Sequence, residues 1–167
     1  RQCRSGRKTM RRKDREITSF SDIADIIGRC DTVRLALNGE EYPYVVPLSF
    51  GYERENDKIN IYFHSASAGE KIDRINRDNR VCLEFDILNS FAEVPGSATA
   101  YYESVMAFGR AERIYGDEAK KGLDLLMEHC GFGGVKYNCP VNENVAVYKV
   151  TLEKISGKRN EKRHDKL

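Results

Sequence analysis

The stretch Tyr62-Phe63-His64-Ser65-Ala66-Ser67-Ala68-Gly69-Glu70-Lys71-Ile72-Asp73 runs from the end of a strand through a loop of small residues into a helix. Apolar and polar residues alternate from Ile59 to His64, as in a strand with one buried face. Ile72 and Ile75 follow at the spacing of one buried helix face. Free backbone N–H groups at the helix start, together with the Lys71 ammonium, predict a site for an anion such as a phosphate.

The loop allows two interpretations. In one, the hydroxyls of Ser65 and Ser67 join Lys71 around the anion; in the other, they only cap a surface helix. The loop contains neither the Walker pattern nor G-x-G-x-x-G, so no nucleotide motif decides between them. His64 could be an acid, a base, a ligand or an ordinary hydrogen-bonding residue. No second His or acidic residue lies at metal-ligand spacing from it, so the sequence predicts no metal site.

Outward from this stretch, the patterns predict six strands and three helices. The strands are predicted at residues 32–37, 42–52, 58–64, 81–87, 101–114 and 145–155, and the helices from the Ser19–Ser21 caps to Cys30, at 69–79 and at 117–128. Residues 89–99 carry no clear pattern. Because helices interrupt consecutive hairpins rather than alternating strictly with strands, the predicted class is α+β with an antiparallel sheet closed into a barrel. Large side chains on both faces of 101–114 favour a barrel or a dimer interface.

The second unusual stretch is Tyr44-Val45-Val46-Pro47-Leu48-Ser49-Phe50-Gly51-Tyr52. Pro43 and Pro47 have no backbone N–H, so part of this strand must lie at an edge, at a bulge or beside a ligand. Its backbone groups and aromatic neighbours could hold a planar ring. It could equally be an edge strand protected against aggregation.

Composition indicates one soluble domain. The chain has 167 residues, 40% hydrophobic and 32% charged, without the long apolar run of a membrane span or a signal peptide, so the predicted location is cytoplasmic. The net charge of +2 combines basic ends with an acidic middle. We interpret residues 1–9 as a disordered or vector-derived extension, 10–157 as the domain and 158–167 as a basic tail, without nucleic-acid binding. The five cysteines lack metal or dithiol spacing and are predicted to be free thiols.

Four motifs in order resemble the FMN-binding split-barrel superfamily, which includes pyridoxamine-phosphate oxidase, and most closely its nitroimidazole-resistance (Nim-type) branch. The motifs are Met10–Ile17, Tyr42–Tyr52, Tyr62–Ser65 followed by Gly69 and Lys71, and Gly109–Ile114. The resemblance extends over about Met10 to Ile155. It implies a six-stranded split β-barrel with flanking helices, in which two protomers hold FMN in a groove at their interface.

The resemblance also implies the cofactor-binding residues. The residues along the isoalloxazine ring and ribityl chain would be Tyr44, Val45, Val46, Pro47, Leu48 and Ser49. The residues around the ribityl-phosphate would be Phe63, His64, Ser65 and Lys71. Ser104, where the oxidase has Gln, would face the flavin. His64 is the candidate catalytic residue, as a proton donor or substrate contact. The oxidase has Arg at the position of Tyr44 and a basic residue at that of Glu70, which leaves the phosphate to Lys71, with Arg74 or Arg77 as further candidates.

The leading hypothesis is therefore a homodimeric FMN-dependent oxidoreductase. It would pass electrons from a reduced nicotinamide or similar donor to a small aromatic acceptor, nitro compounds included. The alternative is a protein of the same fold that binds flavin or haem without turnover, with His64 or His129 as the axial ligand in the haem variant. A regulator that binds nucleic acid through the basic ends ranks last.

Overall fold

The computed structural model describes residues 10–136 and 144–161, which form eight strands and three α-helices. The strands are β1 (Glu16–Ile17), β2 (Val33–Leu37), β3 (Tyr44–Leu48), β4 (Gly51–Glu55), β5 (Lys58–Ala66), β6 (Arg80–Val94), β7 (Ser97–Ile114) and β8 (Val145–Asn160). The helices are α1 (Phe20–Arg29), α2 (Glu70–Arg77) and α3 (Gly116–His129). The predicted extension 1–9, the end of the predicted tail from 162 onward, and two of the five cysteines lie outside the described residues.

The strands form one antiparallel sheet in the order β3-β2-β6-β7-β8-β5-β4, with β1 beside β8. The α+β class and the antiparallel sheet are confirmed. The count of six strands is wrong, since the described residues form eight. No pairing joins the two end strands, β3 and β4, within residues 10–136 and 144–161, so closure of the barrel stays a prediction.

The strand predicted over 42–52 is two strands. Ser49 and Phe50 separate β3 from β4, and the two strands lie at opposite ends of the sheet order. Phe50 is fully buried at this corner, against Phe85 and His129. Burying Phe50 turns the chain out of the line of β3, because its apolar surface is stabilised only in the core. Of the edge, bulge or ligand-facing positions that Pro43 and Pro47 allowed, β3 occupies an edge, with β2 as its one partner among the described residues.

The sheet separates two packed layers. On the first face, α1 and α2 close a large core that contains Ile26, Phe63 and Tyr148. On the other face, α3 packs over Tyr62 and Val147 in a smaller cluster. The polar face predicted for β5 is therefore mostly buried, since α3 covers Asn60 and Tyr62 and leaves only the far end of the strand exposed.

α3 leaves part of the second face uncovered, and we call this part the bare sheet face. Its central row is apolar and consists of the cross-strand neighbours Val45, Ala36, Cys82 and Phe108, on β3, β2, β6 and β7. Val45 is 58% exposed and Phe108 44% exposed. Met106, two residues from Phe108 on the same face, is also exposed. In this single chain, the second face of β7 is thus uncovered at Met106 and Phe108, whereas the cluster under α3 buries Ile114 near its end.

Residues 89–99 are ordered, contrary to the absence of pattern in the sequence. β6 and β7 continue beyond their neighbours as a two-stranded arm that turns at Pro95-Gly96, after a bulge between Leu88 and Ser90. The arm has no further strand beside it among the described residues, so its side chains are at most half-buried and the sequence needs no alternation of apolar residues. Leu88 and Phe91 are exposed along it.

A buried carboxylate joins α1 to the sheet. Glu103 on β7 is 6% exposed and accepts hydrogen bonds from Arg29 of α1 and Arg159 of β8, each at 2.8 Å. β8 extends three residues past the predicted domain end, so Arg159 belongs to the fold. The three described cysteines, Cys30, Cys82 and Cys130, are free, as predicted.

Gly51 determines how closely α3 approaches β4. A Cβ at Gly51 would overlap the backbone nitrogen of Leu126 in α3. We expect Gly51→Ala to lower the free energy of unfolding by about 1–3 kcal/mol, because neither backbone can yield without moving the helix. Urea unfolding measures this. Gly133→Ala is the control: its Cβ would meet nothing nearer than 3.7 Å, and an equal loss there would contradict the explanation.

None of the three described helices combines the length and the apolar composition needed to cross a membrane.

Candidate functional site

Gly69 begins α2 without help from the preceding serines. It is the N-cap, with φ 125° and ψ 170°, and no side chain caps the helix. The Gly69 carbonyl accepts from the N–H groups of Ile72 and Asp73, at 2.8 and 3.0 Å. The interpretation of Ser65 and Ser67 as helix caps is therefore wrong. The N–H groups of Glu70 and Lys71, in the first turn, are left available to a ligand.

Lys71 is the cation of this helix start. It is half-buried, its Nζ lies 6.0 Å from the centre of the Phe63 ring, and it forms no ion pair with any described residue. Desolvation by burial lowers the pKa of Lys71. An unpaired, partly desolvated ammonium beside free N–H groups is well suited to bind an anion.

His64 lies at the exposed end of β5, on the opposite side of the strand from Phe63. Desolvation by the surrounding chain lowers its pKa, and the Lys71 ammonium lowers it further. The imidazole is therefore mostly neutral at pH 7, with one nitrogen that donates and one that accepts. No hydrogen bond ties the ring to another described residue, so both nitrogens can contact a ligand.

Arg74 is not free to bind a phosphate. Its guanidinium donates to the Glu70 carboxylate at 2.6 Å and to the carbonyls of Asn38 and Tyr42 at 3.2 Å. It also lies 5.1 Å from the centre of the Tyr44 ring. The two residues that depart from the oxidase pattern, Tyr44 and Glu70, thus hold the same arginine. The sequence analysis missed this clamp, whose local signal is the Glu70–Arg74 spacing of four residues.

Arg77 is likewise engaged, since its guanidinium donates to Glu40 at 2.7 Å near the other end of α2. Of the three cations predicted to share the phosphate, only Lys71 remains without an ion pair among the described residues.

The α2 helix brings the two distant segments of the predicted site together. β3 and β5 are five positions apart in the sheet order, yet Lys71 contacts Phe63 of β5 and Arg74 contacts Tyr44 of β3. Because residues three apart are neighbours on a helix surface, the two strands approach each other across α2.

The six predicted residues of 44–49 alternate between two environments. Tyr44, Val46 and Leu48 are partly buried against the main core, whereas Val45, Pro47 and Ser49 are exposed. The free backbone edge of β3 is open along the same residues.

Ser104 does not reach the rest of the site within one chain. It pairs with Asp86 and Lys158, whereas His64 lies in the row of Val147 and Ile114. Ten residues of β7 separate Ser104 from Ile114, roughly 30 Å along the strand. Ser104 instead shares the bare sheet face with Met106 and Phe108.

His129 has a structural position. Its Nε2 lies 2.8 Å from the Cys30 carbonyl oxygen, and its ring packs 4.4 Å from that of Phe50. Because the carbonyl can only accept, Nε2 carries the proton. Haem ligation through Nε2 would break this link between α3 and α1, so His129 is a poor axial ligand. No group of three potential metal-binding side chains occurs in the described part of the chain.

Gly69→Ala tests the geometry of the helix start. A φ of 125° with ψ near 170° is accessible almost only to glycine, and the alanine Cβ would meet no other atom, so the cost is backbone strain of about 1–3 kcal/mol. We expect lower stability together with weaker binding of an anionic ligand, measured by unfolding and by titration. Gly96→Ala, at a positive φ in the arm, should lower stability alone. If both variants bound the anionic ligand with the same affinity, the anion site would not lie at the start of α2.

Comparisons with known proteins give matches over most of the chain. A family model described as pyridoxamine 5'-phosphate oxidase matches residues 20–159. The chain is 32% identical to a candidate 5-nitroimidazole antibiotic resistance protein of Bacteroides thetaiotaomicron, whose crystal structure superposes with a TM-score of 0.76 over 86% of this chain and 85% of that one. No curated protein sequence matches it.

Two further structures are similar in fold. One is a flavocytochrome from Azotobacter vinelandii, with 22% identity and a TM-score of 0.75 over 92% of this chain and 73% of that one. The other is an FAD- and haem-binding protein from Mycobacterium smegmatis, with 19% identity and a TM-score of 0.73 over 92% of this chain and 77% of that one. The strand order, the position of α2 and a match over most of the chain together lead to one conclusion: the chain belongs to the pyridoxamine 5'-phosphate oxidase-like family.

Proposed function

We propose that two copies of this chain bind FMN between them and act as an oxidoreductase. The enzyme transfers electrons from a reduced nicotinamide to a small aromatic acceptor, nitroaromatic compounds included. The proposal rests mainly on Lys71. Its half-buried ammonium forms no ion pair with any described residue, so it needs an anionic partner to offset the cost of desolvation. The 32% identity to a candidate 5-nitroimidazole resistance protein supports the class of acceptor.

The residues present fit a flavin phosphate and ring. Lys71 and the free N–H groups of α2 suit the phosphate, and the missing Cβ at Gly69 leaves that approach open. The unpaired backbone edge of β3, next to the exposed Val45 and Pro47, suits a flat heterocycle that needs both hydrogen bonds and apolar contact. When bound, the flavin would supply the redox chemistry, accepting a hydride and returning electrons.

His64 would contact the substrate. Its neutral imidazole can donate one hydrogen bond to an electron-rich oxygen, such as that of a nitro or carbonyl group, and accept another. Its lowered pKa keeps it in this form near neutral pH. Because its ring is exposed at the strand end, a substrate can reach it without displacing a protein hydrogen bond.

A second copy of the chain would cover the bare sheet face. Val45, Met106 and Phe108 give it an exposed apolar surface, which in soluble proteins marks an interaction site. Arg34 on the same face pairs with Glu84 and Asp86, so these charges are already paired within one chain. The position of Ser104, far from His64 in its own chain, supports a site that a partner completes.

Phe108→Glu tests the dimer. A carboxylate buried at the centre of the contact would weaken association by at least 2 kcal/mol, or roughly thirtyfold. We expect a monomer in sedimentation at micromolar concentration, with FMN binding lost as well. Phe132→Glu, which replaces another exposed phenylalanine beyond the end of α3, should leave the dimer intact. A Phe108→Glu variant that stays dimeric and yellow would refute this interface.

The cofactor and the reaction are tested separately. Freshly purified protein should show flavin absorption, or acquire it on titration with FMN more tightly than with FAD or riboflavin. Under anaerobic conditions, added reduced nicotinamide should bleach the flavin band, and a nitroaromatic compound should restore it. The absence of both absorption and thermal stabilisation by FMN would exclude the function; binding without bleaching would leave a passive flavin protein.

A haem-binding protein is the second candidate, and the exposure of His64 favours it. A neutral, solvent-accessible imidazole without a hydrogen-bond partner among the described residues is available to an iron centre. Haem titration of the wild-type protein would then give a Soret band that His64→Ala lacks. If flavin binds and no Soret band forms, this candidate is excluded.

A further inference from the structure

A cavity of about 440 Å³ lies at the other end of α2, and neither Lys71 nor His64 lines it. One wall is formed by the end of α2 and the residues after it, including Arg77 and Asn79. The opposite wall is formed by Arg113 of β7 and Tyr148 of β8, which are direct cross-strand neighbours. Its volume is within the range of small-molecule sites.

The buried side chain of Tyr148 indicates that this cavity binds a ligand. Tyr148 is 1% exposed, and its buried hydroxyl has no hydrogen-bond partner among the described residues. The ring stacks on Phe63 with centres 5.3 Å apart and planes 10° apart, so it cannot swing towards another partner. Burial raises the pKa of Tyr148, which keeps the O–H as a donor. Buried donors almost always have an acceptor, so this one requires an explanation.

The charges around the cavity favour an anionic acceptor. Arg113 is exposed and forms no ion pair with any described residue; its guanidinium lies 5.4 Å from the centre of the Tyr115 ring, so it can turn towards a ligand without breaking an ion pair. The carboxylate of Asp78 is already bonded to Arg80 at 2.6 Å. The second carboxylate that lines the cavity, Glu112, lies on β7 directly opposite Lys149 of β8, so a cation is next to it.

We propose that this cavity is a second ligand site, for a small molecule with a carboxylate or phosphate group whose oxygen accepts from the Tyr148 hydroxyl and pairs with Arg113. The site is distinct from the proposed flavin site at the start of α2. It goes beyond the proposed redox function, since nothing in that function uses Arg113 or Tyr148.

The test is calorimetric titration of the full chain with inorganic phosphate and, separately, with succinate. We expect saturable binding of at least one of them, and its identity distinguishes a phosphate from a carboxylate ligand. Tyr148→Phe and Arg113→Gln should each weaken that binding about tenfold or more, because each removes a charge-assisted contact. Arg54→Gln, at an exposed position beside Phe20 of α1, should bind like the wild type.

Two controls separate a loss of anion binding in this cavity from unfolding and from binding at the start of α2. Tyr148→Phe removes an unpaired hydroxyl, so without added anion its Tm should not fall, and a loss of binding cannot then be attributed to unfolding. Lys71→Ala removes the cation of the proposed flavin-phosphate site, and the binding that depends on Tyr148 and Arg113 should remain in this variant. Absence of saturable binding, wild-type affinity in both Tyr148→Phe and Arg113→Gln, or loss of binding in Lys71→Ala would each overturn the proposal. FMN titration of Tyr148→Phe reports on the flavin site separately.

Discussion

Replacing Lys71 with alanine is expected to weaken FMN binding by about tenfold to a hundredfold. The variant removes the one cation of α2 that has no ion pair among the described residues, and a charge-assisted hydrogen bond to phosphate contributes about 1.5–3 kcal/mol. Riboflavin has the same ring without the phosphate, so its affinity should change little. Fluorescence titration with both flavins measures the difference. Lys120→Ala, on α3, is the matched control.

The same variant should change the titration of His64. Desolvation would still lower the pKa of the imidazole, but the contribution of the Lys71 ammonium would be gone, so the pKa should rise towards its ordinary value. NMR titration of the imidazole protons, with His64→Gln to identify the resonance, measures this. Equal losses for FMN and riboflavin, with an unchanged His64 pKa, would mean that Lys71 acts through the fold instead of through the phosphate.

Glu103→Ala is expected to be the most destabilising of the substitutions considered. It leaves Arg29 and Arg159 without the buried carboxylate that both contact, and α1 loses its ionic link to the sheet. Because Arg29 is 43% exposed, solvent screens part of the penalty, and we expect a loss of about 2–4 kcal/mol, or roughly 5–15 °C in Tm.

Thermal unfolding compares this variant with two others. Glu103→Gln, which keeps the shape and one acceptor, should lose less stability than Glu103→Ala. Glu153→Ala breaks the exposed contact of Glu153 with Arg110 at 3.9 Å and should change stability by less than about 1 kcal/mol. If Glu103→Ala behaved like Glu153→Ala, the buried ion pairs would contribute nothing measurable to stability.

Features encoded by neighbouring residues were predictable from the sequence. The Ile23, Ile26 and Ile27 pattern gave α1, and the proximity of Phe63 to Lys71 follows from the short loop between β5 and α2. The missing N–H of Pro47 limited its strand to an edge, a bulge or a position beside a ligand, and β3 lies at an edge of the sheet. The same local reasoning places His64 beside Lys71.

Features that depend on distant pairing were not predictable. Nothing in residues 42–52 marks the break at Ser49 and Phe50 that puts β3 and β4 at opposite ends of the sheet, because the break depends on the burial of Phe50 and the packing of α3. The position of Ser104 depends on the register of β7, and no short pattern specifies the register of so long a strand. The sequence left Arg74 as a candidate phosphate ligand, because the acceptors that occupy its guanidinium include backbone carbonyls 32 and 36 residues away.

The Arg74 clamp also makes two positions interdependent. Changing Tyr44 alone to the arginine of the oxidase pattern would set two guanidinium groups side by side, and changing Glu70 alone to a basic residue would remove the carboxylate to which Arg74 donates. Both changes act on the same guanidinium, so their energetic effects should not be additive.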